Sequence, residues 1–216
     1  MALVGEMRQS DITHNRLAQY VGLPSDTEVG DGFWMGDNVT LRSRIRIGDG
    51  CKLKDDSFVG DDVFLGDYIT VGKGTCLDDR TTIGSGTSFG LDCVVWHDAT
   101  LGQGVTALRI STFGHHAKVG NFTSFGNDCH VEEDAKVGNY CTFGANVRIM
   151  KGAVVGDNTE VGDNVTIGAG ARIGKGPRVL DDTIIEERQE FREVALIYMD
   201  GDKTITIPAH DDPKPS

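Results

Sequence analysis

The sequence predicts an all-β solenoid of about eight triangular coils, and three observations support that fold class. An apolar residue recurs at every sixth position from Val29 to Val179, and no insertion breaks the frame. A glycine usually follows this apolar anchor, as in "VGDD", "LGDY" and "IGAG", and a small or β-branched residue usually stands four positions after it. A period of six suits neither an amphipathic helix nor a plain alternating strand. Each unit is therefore predicted to be one short strand followed by one corner.

Three such units close one coil, so residues eighteen positions apart lie directly above each other. The anchor and the small residue two positions before it are predicted to face inward, while Gly, Asp and Asn take the turns. Coils that stack at the spacing of β-strands give a solenoid about 40 Å long. Four cysteines share the small inward position and are predicted to be buried hydrophobes: Cys51, Cys93, Cys129 and Cys141.

The segment before the solenoid, residues 1–28, is predicted to be a cap. Residues 10–24, "SDITHNRLAQYVGLP", combine a Ser cap, apolar residues at helical spacing and a Gly-Pro stop, so we expect a short helix there. No basic region precedes an apolar run at this terminus, so we expect no secretory signal. The solenoid itself is predicted to span residues 29–180.

Residues 181–216 are predicted to form a C-terminal extension. The stretch "DDTIIEERQEFRE" at 181–193 is compatible with a helix. The stretch "VALIYMDGDKTITIP" is typical of a hairpin whose turn lies near Gly201. The last residues, "AHDDPKPS", are predicted to be a loose tail.

The composition excludes several classes of partner. Thirty-three acidic residues against 21 basic ones leave a net charge of -12, which disfavours binding to nucleic acid or to an anionic membrane surface. No apolar stretch is long enough to span a bilayer. Five cysteines without CxxC spacing suit a reducing compartment. We therefore expect a cytoplasmic protein with no nucleic-acid and no membrane partner.

Histidines stand out among the predicted corner residues. His97 and His115 are eighteen residues apart and share a column with Asp79 before them and Glu133 after them. The adjacent column contains Arg80, Asp98, His116 and Asp134, and another column places His130 between Thr112 and Arg148. One corner is thus predicted to carry three histidines, with carboxylates in the coils on either side.

The six-residue repeat resembles the hexapeptide-repeat, left-handed parallel β-helix family, and the left-handed sense is implied by this resemblance. The phrase "VWHDATLG" at 95–102 is similar to the active-site phrase of hexapeptide acyltransferases that modify sugars and sugar nucleotides, and "FGHHAKVG" at 113–120 is nearly so. In that family a corner histidine is the general base. The family resemblance also implies a homotrimer, with acyl-CoA or acyl carrier protein bound in the groove between two subunits.

The predicted catalytic residues are His97, Asp98 and His115. Acyl transfer from a thioester needs a base with a pKa near neutrality, which histidine supplies. A neighbouring carboxylate, Asp98 or Asp79, is expected to orient His97 and stabilise its charged form. His115 is expected to bind the acceptor or to share the role of base.

The remaining site predictions concern binding. Asp79, His116 and Glu133 are predicted to bind a small-molecule acceptor, a sugar or sugar nucleotide. Arg148 and Lys151 are predicted to meet the phosphates of the co-substrate acyl-CoA, although surface charge explains them equally well. No metal is required in this hypothesis.

Two alternatives stay open. Relatives of γ-class carbonic anhydrase bind zinc through three histidines, a role open to His97, His115 and His116, although the His spacing of that family is absent here. The second alternative is a non-enzymatic structural or assembly solenoid. The repeat lacks the long loop that interrupts many of the family's enzymes, and this favours a scaffold.

Overall fold

The computed structural model describes residues 23–209 and confirms the all-β, parallel β-solenoid. Three sheets of ten, eleven and nine strands form its three faces, so the solenoid has about nine coils. The helix predicted at 10–24 lies almost wholly outside the described residues. Within residues 23–209 no helix is long and apolar enough to cross a membrane.

Each face is built from two-residue strands that pair in parallel with the strands eighteen residues away, except that the last two strands of face II are longer and pair with each other antiparallel. Face I contains β1 Glu28–Val29, β4 Arg46–Ile47, β7 Phe64–Leu65, β10 Thr82–Ile83, β13 Thr100–Leu101, β16 Lys118–Val119, β19 Lys136–Val137, β22 Val154–Val155, β25 Arg172–Ile173 and β28 Glu190–Phe191. Face II contains β2 Trp34–Met35, β5 Lys52–Leu53, β8 Thr70–Val71, β11 Ser88–Phe89, β14 Thr106–Ala107, β17 Ser124–Phe125, β20 Thr142–Phe143, β23 Glu160–Val161, β26 Arg178–Val179, β29 Val194–Asp200 and β30 Lys203–Pro208. Face III contains β3 Thr40–Leu41, β6 Phe58–Val59, β9 Cys76–Leu77, β12 Val94–Val95, β15 Thr112–Phe113, β18 His130–Val131, β21 Arg148–Ile149, β24 Thr166–Ile167 and β27 Ile184–Ile185.

The corners are tight because one residue in each repeat adopts a left-handed backbone. A positive φ recurs three positions after each anchor, at Asp98 (61°) and His116 (57°) among others. Gly, Asn and Asp adopt this conformation most readily, which explains their abundance at the corners. Ile110, with φ of 59°, is a β-branched exception.

The core is a column of inward anchors and small residues. Aromatic rings fill it at mid-height, where Phe113 and Phe125 meet edge to face at 5.1 Å and Phe125 stacks on Phe143 at 4.8 Å. The four cysteines predicted to be buried are buried, and Cys93 Sγ donates to the Leu108 carbonyl at 2.8 Å. Burial also raises the pKa of the Cys129 thiol, to about 11. These thiols are structural.

The helix predicted at 181–193 is wrong, and the repeat continues in its place. Strands β27 and β28 extend the solenoid, with Ile185 fully buried as a further anchor. The hairpin is confirmed, since β29 pairs with β26 in parallel and with β30 antiparallel, around a turn at Gly201. The predicted loose tail, from residue 210 onward, lies outside the described residues.

Candidate functional site

The candidate site lies at the corner where face III turns into face I. Residues 96–99 connect β12 to β13, and residues 114–117 make the same connection one coil later. We call these two turns the histidine corner. Each turn is held by buried residues on both sides, Val95 and Ala99 in the first and their counterparts in the second. The backbone that carries the histidines is therefore fixed by the core.

The structure brings the three predicted histidines together. The rings of His97 and His115 lie 3.7 Å apart between centroids and are tilted by 36°. His116 meets His97 edge to face at 5.9 Å, and Trp96 contacts His115 at 5.4 Å. The side chain of His97 is 38% exposed, so its ring is accessible to a substrate while being packed on one side.

The carboxylate beside the His97 ring belongs to Asp78, which the sequence analysis missed. Asp78 Oδ2 lies 3.7 Å from His97 Nδ1. Asp98 instead accepts two hydrogen bonds from Arg80, both of 2.8 Å, and this guanidinium lowers the pKa of the Asp98 carboxyl. Asp79 accepts a hydrogen bond from a backbone N–H one coil earlier at 2.8 Å. Asp78 precedes His97 by nineteen residues, so a search of columns eighteen apart does not find it.

Two of the predicted binding residues pair with each other. Lys151 Nζ donates to Glu133 Oε2 at 2.8 Å. This hydrogen bond lowers the pKa of Glu133 and raises that of Lys151. Both groups are thus charged near neutral pH, and each serves as a counter-ion for the other.

An open groove of about 400 Å³ runs along face III next to the histidine corner. Its lining residues include members of the predicted binding set as well as residues that the sequence analysis did not assign: Trp96, Thr112, Gly114, His115, His130, Val131, Glu132, Glu133 and Arg148. Gly114 stands between Trp96 and Glu132 in the outward column. No side chain fits there, because a Cβ on Gly114 would lie 2.6 Å from the Glu133 backbone nitrogen.

The corner also offers a possible set of metal ligands. One ligand atom each from His97, Asp98 and His116 lies within 4.8 Å of the others. Two histidines and a carboxylate suit a divalent transition metal. The set differs from the three histidines considered above, because Asp98 takes the place of His115. The positive charge of Arg80 on the same carboxylate opposes a dication.

Comparisons with known proteins agree with the repeat and the fold. Residues 116–149 and 142–175 match the family described as "Bacterial transferase hexapeptide (six repeats)". No curated protein sequence matches the chain. The UDP-N-acetylglucosamine acyltransferase of Arabidopsis superposes with a TM-score of 0.69 at 18% identity, covering 85% of this chain and 73% of that one. The UDP-N-acetylglucosamine O-acyltransferase of Moraxella catarrhalis gives 0.53 at 14% identity, covering 84% and 72%. At these identities the likeness concerns the fold.

Proposed function

Because this chain is a solenoid of six-residue repeats and residues 116–175 of it match the bacterial transferase hexapeptide family, we propose that it is an acyltransferase. It moves an acyl group from a thioester, acyl-CoA or acyl carrier protein, to a hydroxyl or amine of a small molecule. The acceptor is a sugar or sugar nucleotide, the class named for both structural relatives. The observation that carries the proposal is the accessible ring of His97, packed against His115 and flanked by Asp78.

His97 acts as the general base. It takes the proton of the acceptor's hydroxyl or amine as that group attacks the thioester carbonyl, and it returns the proton to the departing thiolate. Asp78 orients the ring and stabilises the imidazolium that forms. His115 and Glu133, both in the groove wall, hold the acceptor, and the exposed Arg148 meets the phosphates of the donor.

The column of histidines supplies a second element of this chemistry, a free backbone N–H. Elsewhere in the same column the amides of Ser43 and Asp61 donate to an Asp carboxylate of the next coil, at 2.9 and 2.8 Å. One coil after Asp79 and one coil after His97 the corresponding residue is a histidine, and within residues 23–209 the amides of Asp79 and His97 donate to no protein acceptor. The N–H of His97 is therefore available to an oxyanion beside the base.

We propose a homotrimer as the active assembly. Phe64 and Trp96 are large apolar side chains that stay 47% and 44% exposed on an isolated chain. A second copy packed against them would bury this surface and deepen the open groove into a pocket. Light scattering should give three times the chain mass, and a monomer mass at micromolar concentration would contradict the shared pocket.

The five free cysteines support a cytoplasmic site of action.

The test is thioester consumption in the presence of candidate acceptors. His97→Ala should lower kcat by about 10²–10⁴-fold, the usual loss for a general base. Its melting temperature should stay near that of the parent, because the side chain lies outside the core. Gln103→Ala is the matched control, since Gln103 occupies the same turn position at the next corner. A fully active His97→Ala variant would contradict the assignment.

Two alternatives have distinct outcomes in the same assay. The cluster of His97, Asp98 and His116 favours a zinc-dependent activity if a chelator abolishes turnover and zinc restores it. A non-enzymatic scaffold is favoured if no thioester is consumed with any acceptor and the trimer nevertheless forms.

A further inference from the structure

A second group of polar residues, apart from His97, forms a hydrogen-bonded chain on face III. Thr112 Oγ1 and His130 Nδ1 lie 2.7 Å apart on adjacent strands. His130 Nε2 lies 3.0 Å from Asp128 Oδ1. The proposed acyl transfer uses none of these three residues.

The Asp128 carboxylate determines which atoms donate and which accept in these two hydrogen bonds. An ionised carboxylate only accepts, so His130 Nε2 must carry the proton that it donates to Asp128. The Nδ1 atom of a neutral ring is then an acceptor, and the Thr112 hydroxyl donates to it. A hydroxyl that donates to a histidine held in place by a carboxylate is the arrangement of an activated nucleophile.

The hydroxyl also faces space that a substrate can enter. Thr112 and His130 both line the groove, with Gly114 beside them. Thr112 is half-buried, and the His130 side chain is 31% exposed. A small acyl group that enters this groove therefore comes within reach of the hydroxyl.

We propose that Thr112 is the nucleophile of a second activity, the hydrolysis of small activated acyl esters and thioesters through an acyl-threonine. Thr112 and His130 are its catalytic residues, and Asp128 is a positioning residue. This goes beyond the acyl transfer proposed for His97 and does not depend on it, because it needs no acceptor other than water.

The reaction proceeds in two steps. Thr112 Oγ attacks the acyl carbonyl carbon while its proton passes to His130 Nδ1. Collapse of the tetrahedral intermediate breaks the bond to the leaving group, which departs as a thiol or alcohol with the proton from His130. In the second step water attacks the acyl-threonine, giving its proton to His130. The carboxylic acid leaves, and Thr112 regains its hydroxyl hydrogen.

The experiment is acid-quenched labelling of the whole protein with p-nitrophenyl acetate, without any acceptor. Trypsin releases residues 110–118, between Arg109 and Lys118, and fragmentation of this peptide locates the acetyl group. Neutral hydroxylamine removes acetyl from imidazoles and thiols and leaves an alkyl ester, which separates Thr112 from nearby histidines. Cys76 on the same face is a weak competitor, because burial raises the pKa of its thiol.

We expect an acetyl ester on Thr112 in the parent protein, and its formation in His97→Ala as well. Thr112→Val should abolish it, and His130→Asn should slow it by about 10²–10⁴-fold. Asp128→Asn should slow it too, while the left-handed backbone at that position tolerates Asn. Thr166→Val is the matched control, since Thr166 is another half-buried outward threonine of face III.

An unlabelled Thr112 in the parent protein overturns the proposal. Labelling that persists at the parental rate in His130→Asn, or that occurs equally on Thr166, also overturns it. Because His97→Ala must retain the label, failure of this proposal and failure of the proposed acyl transfer give different results.

Discussion

The imidazole rings of His97 and His115, on adjacent coils, approach to 3.7 Å between centroids. Coils stack at about 4.8 Å, so the two rings lean toward each other rather than standing parallel on their own turns. Histidine stands at these two positions in place of the Asp that elsewhere in this column accepts the N–H of the previous coil. Histidine at positions 97 and 115, where other coils have Asp, therefore places a base at the corner and leaves the His97 N–H beside it without an acceptor in the part of the chain that the structure describes.

The free amide makes His115→Asn more harmful than His115→Ala. Asn at this turn position accepts such an N–H elsewhere in the chain, as Asn121 Oδ1 does from Gln103 at 2.8 Å. We expect His115→Asn to occupy the His97 N–H and to lower kcat by roughly 10²–10³-fold beyond the effect of the alanine variant. Steady-state kinetics of both variants measure this. Equal kcat values would show that the amide is not an oxyanion donor.

Asp78 should matter more to His97 than Asp98 does. Asp78→Asn removes the negative charge 3.7 Å from Nδ1 and should lower kcat roughly tenfold, equivalent to about 1.4 kcal/mol of transition-state stabilisation. KM should change little. Asp98→Asn is the control, because that carboxylate already pairs with Arg80. A larger kcat loss in Asp98→Asn would return the orienting role to Asp98.

The Arg80–Asp98 pair should make stability depend on pH in the acid range. Arg80 lowers the pKa of Asp98 in the folded chain, so the pair stabilises the fold above the unfolded carboxyl pKa of about 4. This stability is lost as the pH falls and the carboxyl is protonated. The melting temperatures of the parent and Asp98→Asn should therefore differ at pH 7, and the difference should shrink as the pH falls below the unfolded carboxyl pKa of about 4. A constant difference across this range would contradict the linkage.

Ile110→Asn should stabilise the protein. Ile110 combines a β-branched, 48% exposed side chain with a φ of 59°, a conformation that costs L-residues roughly 1–2 kcal/mol. Asn tolerates this backbone, so the free energy of unfolding should rise by about 1 kcal/mol. Leu108→Asn is the control at the same corner, with similar exposure and no positive φ. Denaturant unfolding should give a larger gain in unfolding free energy for Ile110→Asn than for Leu108→Asn. Equal gains would mean that replacing an exposed apolar side chain, and not the backbone conformation, causes the stabilisation.

Val137→Asp should prevent folding. Val137 is a buried anchor on face I, and an aspartate there would bury a charge with no partner. Lys136→Asp, at the exposed neighbouring position of the same strand, should fold normally. Circular dichroism and thermal melts distinguish the two variants. A Val137→Asp protein that melts like the parent would disprove the inward frame.

The frame could be predicted because burial and turn geometry repeat with the same period. Every anchor had to be apolar, and the sequence alone was enough to place the corners and the four buried cysteines. The wrong helix at 181–193 came from ending the frame at Val179. Ile185 and Phe191 continue the six-residue step, but Glu186 and Arg192 replace the glycines that usually follow an anchor.

The site was only partly predictable. Vertical stacking brings His97 onto His115, and a period of eighteen identifies that pair. His97 and Asp78 are nineteen residues apart and therefore belong to neighbouring columns. Their contact depends on the directions of the two side chains, which the sequence does not show. The link from Thr112 through His130 to Asp128 likewise needed rotamers, although the column of Thr112 and His130 was visible in the sequence.

The antiparallel hairpin of β29 and β30 has a consequence for growth of the protein into filaments. A parallel solenoid ends in unpaired strands that match the first coil of another copy, and such ends invite open-ended polymerisation. Here β30 turns back against β29, and Thr204 Oγ1 donates to the Ile184 carbonyl of β27 at 3.0 Å. On face II a second copy would have to pair with β30, which runs antiparallel to the other strands of that face. The hairpin therefore covers the parallel edge of face II against end-to-end stacking of copies, while faces I and III end in β28 and β27.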